Sequence, residues 1–202
     1  KSKMTTIKND ILNIFFYGAG CNSEKLKKNI KKGLKIFFYN SKIKIYHDLD
    51  GACHATYNNK PNITCILGTG SNSCFFDGKK MITNPSLGFI IGDEASGNFF
   101  GRKLINMFFN KTLSKKLSEN FYKKYKIKYE NMMKKIYIEK KPNLYLASFF
   151  PFIVENKNTS IFKNMIIKSL DEFFKLHICS FKNYSKVKIN FVGSVAFYLK
   201  KL

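Results

Sequence analysis

The chain has 202 residues and a formal net charge of +23, from 36 Lys and Arg against 13 Asp and Glu, long enough for one large domain or two small lobes. Its 45% hydrophobic content excludes extended disorder, and no apolar run approaches the ~18 residues of a membrane-spanning helix. Arg102 is the only arginine, whereas a surface built to grip phosphates would use the bidentate guanidinium repeatedly. The charge therefore reads as lysine filling solvated positions in an A/T-rich coding sequence, and nucleic-acid binding is the weaker reading.

In chain order, Ile11 to Tyr17 is an apolar run closed by Gly18-Ala19-Gly20, a strand entering a turn. Ser23 is placed to cap a helix from Glu24 to about Phe38, with Leu26, Ile30, Leu34 and Phe37-Phe38 on one stripe and lysines opposite. Ile43 to Tyr46 alternates as a strand and ends at His47-Asp48-Leu49-Asp50-Gly51; Ala52 to Tyr57 reads as a short helix. Pro61-Asn62 is the expected lobe boundary. Ile63 to Leu67 then reads as a strand, Gly68-Thr69-Gly70-Ser71 as a turn, Asn72 to Phe76 as the returning strand and Asp77-Gly78 as a second hairpin turn. Residues 94 to 109 suit an amphipathic helix, and Ser114 to Lys141 a lysine-rich helical segment. A further short helix begins at Pro142 and is expected to break at Phe150-Pro151-Phe152. Ile161 to Phe181 reads as one long helix, and Val187 to Val192 as a last strand turning at Gly193-Ser194 into a helix. The five cysteines are odd in number and lack CxxC spacing, which disfavours a disulfide framework and a zinc site and suits buried thiols in a reducing cytoplasm. The opening Lys1-Ser2-Lys3-Met4 leads to the expectation of no secretory signal.

The pattern is mixed α/β, with Gly, Ser, Thr and Asp at the strand ends, where open α/β sheets bind ligands. Three segments carry chemistry. The Gly68-Thr69-Gly70-Ser71 turn lets backbone N–H groups approach an anion, although a plain hairpin would use the same residues. In Gly88 to Gly97, Asp93 and Glu94 stand together where acids are scarce. They read either as helix-capping groups or, for Asp93, as a ligand of polyol hydroxyls. Asp48 follows a strand and reads either as a general base or as a turn former, a role that Asp50 beside Gly51 suits better.

The order strand–Asp, strand–GTGS–strand, GDE–helix and late strand–GS–helix resembles the actin-like ATPase and sugar kinase superfamily, with its ribonuclease H-like, two-lobed α/β fold. More narrowly it resembles the N-acetylglucosamine kinase family, in the grouping that also holds the CoA-reductase activator ATPases. The residues carrying the resemblance are Tyr17 to Cys21, His47 to Ala52, Cys65 to Cys74, Pro85 to Gly97, Pro151-Phe152 and Phe191 to Ala196.

The resemblance implies ATP and Mg2+ as cofactors, with Gly68, Thr69, Gly70 and Ser71 on the ATP phosphates. It also implies Asp48 as catalytic base, Asn72, Asp93 and Glu94 as substrate ligands, and Gly193 and Ser194 at the start of an adenosine-binding turn. The implied reaction is phosphorylation of an amino sugar, N-acetylglucosamine foremost, in a cytoplasmic protein with a small-molecule sugar and ATP as partners, no membrane role, and a homodimer allowed. The alternatives are a non-catalytic remnant of the family and a nucleotide-dependent activator ATPase. The family opens on an Asp-x-Gly-x-Thr phosphate hairpin that this sequence lacks. Residues 1–61 are therefore expected to be a partial first lobe and 62–202 the second lobe, incomplete at both ends of the chain.

Overall fold

The computed structural model describes residues 10–21 and 23–201, so the opening Lys1 to Met4 lies outside the described residues. The chain divides into two compact units after Asn58.

In the first unit, β1 (Asn13–Gly18) and β2 (Lys42–His47) pair in parallel, Asn13 opposite Lys42 and Gly18 opposite His47. The crossover is α1 (Glu24–Phe37), whose N-cap Ser23 accepts from the Leu26 N–H as its position in sequence suggests. The expected apolar stripe is only partly packed. Ile30, Leu34 and Phe38 are half-buried, while Leu26 and Phe37 are exposed, because within this unit a two-stranded sheet gives the helix little to bury against. The helix after β2, α2, runs Asp48–Thr56 and starts four residues earlier than the Ala52 expected. His47 caps it, and the Asp50 carboxylate accepts from the His47 N–H at 2.9 Å, a reciprocal cap that compensates for the weak helix propensity of Asp-Leu-Asp-Gly.

The second unit holds a four-stranded sheet in the order β5-β4-β3-β6, with β3 (Asn62–Leu67), β4 (Ser71–Phe76), β5 (Met81–Thr83) and β6 (Lys188–Val192). The pairs β3–β4 and β4–β5 are antiparallel hairpins, and β6 returns beside β3 in parallel. At the β4–β5 turn the Asp77 carboxylate accepts from the Lys80 and Lys79 N–H groups at 2.7 and 2.8 Å, and these bonds hold its carboxyl below the usual carboxylate range.

Among the described residues the second unit also has eight α-helices: α3 (Gly88–Ile91), α4 (Gly97–Phe109), α5 (Lys115–Tyr125), α6 (Tyr129–Tyr137), α7 (Pro142–Ala147), α8 (Phe150–Glu155), α9 (Ser160–Phe173) and α10 (Ser194–Leu199). Three local expectations change. The segment 114–141 is two helices, divided where Lys126 adopts a left-handed conformation. Pro151 opens α8 instead of only breaking a helix, since a first-turn proline gives up no intrahelical hydrogen bond. The long C-terminal helix is α-helical only to Phe173 and continues as a π-helical turn over Phe174–Ile178.

The core lies under β3, where Ile63, Cys65 and Leu67 meet Phe100, Leu104, Phe162 and Ile166. Phe121 anchors an aromatic cluster, with ring centroids 5.0 to 5.6 Å from Phe108, Tyr125, Phe149 and Phe152, and each such buried ring contributes about 1.5–3 kcal/mol from burial. All five cysteines are free, and four are buried. Burial pushes the Cys65 thiol up to about 12, the chemistry of an inert core residue.

Candidate functional site

The turn between β3 and β4 is fastened by its carbonyl oxygens. Gly97 N–H donates to the Gly68 oxygen at 2.8 Å, and Asn98 donates to the Thr69 oxygen from both its backbone, at 3.0 Å, and its side chain, at 2.7 Å. The first N–H groups of α4, which no helix satisfies internally, thus tie the turn to the helix. Among the described residues, the Thr69 and Gly70 amides have no hydrogen-bond partner, which leaves two N–H donors for an anion at a glycine turn.

Asp93 braces the same turn. Its Oδ1 accepts from the Ser71 N–H at 3.2 Å and its Oδ2 from Asn98 Nδ2 at 2.7 Å. A Cβ on Gly70 would sit 2.8 Å from that carboxylate, so the second glycine of GTGS is set by the aspartate packed on it. Asp93 and Glu94 precede α4 and do not cap it. Ser96 is the N-cap, and Asp93 and Ala95 both have positive φ. The capping alternative for the two acids is therefore replaced by a built corner in which Asp93 serves the turn.

Glu94 is buried, its side chain 11% exposed, and its Oε2 lies 2.7 Å from His177 Nε2. His177 belongs to the π-helical turn, stacks on Phe173 with centroids 4.8 Å apart, and accepts at its backbone oxygen from Ser73 Oγ at 2.7 Å. A cavity of about 200 Å³ joins these groups. Ser71, Asn72, Asp93, Glu94 and His177 line it together with apolar contributors such as Leu176, and no Lys or Arg is among its lining residues. Asn72 Oδ1 accepts from the Ser73 N–H at 2.8 Å. The Ser71 hydroxyl is buried without a partner. Sequence reasoning missed His177; the signal that could have raised the question is Glu94, a carboxylate in an apolar, glycine-rich stretch that needs a partner once buried.

Gly193 and Ser194 form the β6–α10 turn. Gly193 has φ +114°, and a side chain there would collide with the Leu67 carbonyl, so this turn lies against the start of GTGS. The parallel pairing of β3 with β6 places both strand ends at one edge of the sheet.

In the first unit, Asp48 is the first residue of α2, with its side chain 36% exposed. Its Oδ1 accepts from the Leu49 N–H at 2.9 Å and lies 2.8 Å from His47 Nδ1. The same nitrogen accepts from the Leu49 N–H at 3.3 Å, the side-chain half of the cap on α2. Asp50 does the capping, and no partner of Asp48 Oδ2 is found among the described residues.

Over 96% of its length the chain matches the solved structure of a putative N-acetylglucosamine kinase from Porphyromonas gingivalis, with a TM-score of 0.89 and 32% identity, and it covers 69% of that protein. This chain belongs to the N-acetylglucosamine kinase-like family. Its fold is the actin-like ATPase fold over the part it spans. A second such kinase, from Chromobacterium violaceum, matches with a TM-score of 0.65 over 91% of this chain and 66% of its own length; at 15% identity it supports the fold alone. No protein-family model and no curated protein sequence matches the chain. Among the described residues no three His, Cys, Asp or Glu side chains group as metal ligands; nucleotide sites hold Mg2+ chiefly through phosphates and water. Among those residues, too, no helix is long and apolar enough to cross a membrane.

Proposed function

We propose that this chain phosphorylates an amino sugar with ATP, N-acetylglucosamine to its 6-phosphate being the primary reaction. The observation that carries the reading is the cavity of Asn72, Asp93 and Glu94 built directly onto the GTGS turn, which sets hydroxyl acceptors beside free phosphate-type donors within one unit. In a chain with 36 Lys and Arg, lining a cavity with two carboxylates and no Lys or Arg suits a neutral polyol.

In this reading the Thr69 and Gly70 amides and the Ser71 hydroxyl serve the ATP phosphates, and Gly193-Ser194 begins the adenosine site. Asn72, Asp93 and Glu94 hold the sugar. Asp48 is the general base: its carboxylate takes the proton of the 6-hydroxyl as that oxygen bonds to the γ-phosphorus, the bond to the bridging β–γ oxygen breaks, and ADP leaves. Catalysis is positioning plus electrostatic stabilisation of the transferring phosphoryl group. ATP arrives with Mg2+, which neutralises phosphate charge. A cytoplasmic location and a homodimer belong to the same reading.

The test is ADP formation by the full chain with and without N-acetylglucosamine. Sugar-dependent turnover is expected, and Asp48→Asn should lower kcat by about 10²–10⁴ with little change in the affinity for the sugar. ATP turnover indifferent to sugar would point instead to an activator-type ATPase, and Mg·ATP binding too weak to measure would point to a non-catalytic remnant.

A further inference from the structure

The Glu94–His177 pair is the most buried ionisable pair among the described residues, and the family motifs account for only one half of it. Glu94 Oε2 is taken by His177 Nε2 at 2.7 Å, whereas Oε1 has no partner among the described residues although Glu94 lines the cavity. His177 is itself held twice: its ring stacks on Phe173, and its carbonyl accepts from Ser73 Oγ of the central strand β4. The π-helical turn that carries it is a rare conformation that concentrates at functional sites.

We propose that His177 is a positioning residue of the sugar site: it donates to Glu94 Oε2 and so fixes Oε1 as an acceptor for a hydroxyl or amide N–H of a neutral sugar. The inference rests on the kinase reading of the cavity and deepens it. An unpaired carboxylate buried in this wall would relax toward solvent, and that change removes the acceptor. Pairing with an imidazole that stacking holds in place keeps the carboxylate fixed before the ligand arrives, so less ordering remains to be done on binding. The role falls on sugar affinity and leaves the nucleotide groups untouched, since no atom of the pair bonds to Gly68, Thr69 or Gly70.

The test is calorimetric titration of the full 202-residue chain with N-acetylglucosamine and, separately, with Mg·ATP. His177→Phe keeps the stacked ring and loses the donor; it should weaken sugar binding about 10- to 100-fold and leave Mg·ATP binding unchanged. His177→Gln, which restores an N–H donor at similar reach, should recover sugar affinity to within a few-fold. Glu94→Gln removes the buried charge and so tolerates loss of the histidine. It should show the same sugar defect by itself, and adding His177→Phe to it should cost nothing further. Sugar affinity unchanged in His177→Phe, equal losses for sugar and nucleotide, a glutamine that fails to rescue, or strictly additive effects with Glu94→Gln would each overturn the proposal while leaving the kinase reading intact. A wild-type chain that binds Mg·ATP but neither N-acetylglucosamine nor glucose would instead overturn the sugar reading of the cavity, and this inference with it.

Discussion

At the scale of single residues, the site is built by backbone groups whose partners lie far away in sequence. Gly70 illustrates this. Its sequence reading is conformational freedom for a turn, yet the constraint in the structure is the Asp93 carboxylate, 2.8 Å from where a Cβ would stand. Gly70→Ala must therefore displace Asp93, loosening both its Ser71 and Asn98 bonds. We expect a loss of about 1–3 kcal/mol in chemical denaturation, with sugar affinity falling more than stability alone explains; a variant as stable as wild type would mean that the corner is softer than its contacts indicate. Arg102 carries the same lesson. The sole guanidinium donates to the Phe89 and Ile90 carbonyls of α3, steadying the approach to Asp93.

At the scale of elements, the hairpins and the first helix start were legible because local chemistry decides them: the Asp77-Gly78 turn and the Ser23 cap act over a few residues. Three features were not legible. The early start of α2 depends on a His47–Asp50 reciprocal cap that propensity does not encode. The division at Lys126 requires a left-handed lysine that no local signal demands. The π-helical turn preserves an apolar stripe that reads equally well as α-helix, so its phase change, and with it the placement of His177 against Glu94, could not be seen. Asn72, Asp93 and Glu94 were legible as candidates by motif, but their common cavity is a tertiary fact. The contact of α4 with α7 supplies the prediction at this scale. Gly101 lets the two helices approach until any side chain would meet the Leu146 carbonyl, and Gly97 lies against Ala147 and the Gly68 carbonyl on the same face. Gly101→Ala should destabilise by about 2–4 kcal/mol despite its better helix propensity, measured by urea midpoint at unchanged m. A stabilised variant would show that the helices can separate freely.

At the scale of the whole molecule, the charge of +23 and the proposed sugar site keep apart. The lysines of α1 and of α5 to α6 stand almost all exposed, and no Lys or Arg is among the residues lining the cavity beside the GTGS turn. Mixed α/β character was evident from strand ends rich in Gly, Ser and Asp, whereas the half-packed α1 shows why composition alone could not tell which apolar stripes find a partner. One measurement bears most directly on the proposed amino-sugar kinase activity: phosphorus NMR of the full chain incubated with Mg·ATP and N-acetylglucosamine. The account predicts loss of the γ-phosphate signal matched by a sugar 6-phosphate resonance, both absent in Asp48→Asn. γ-Phosphate converted only to inorganic phosphate at a rate indifferent to the sugar would contradict it.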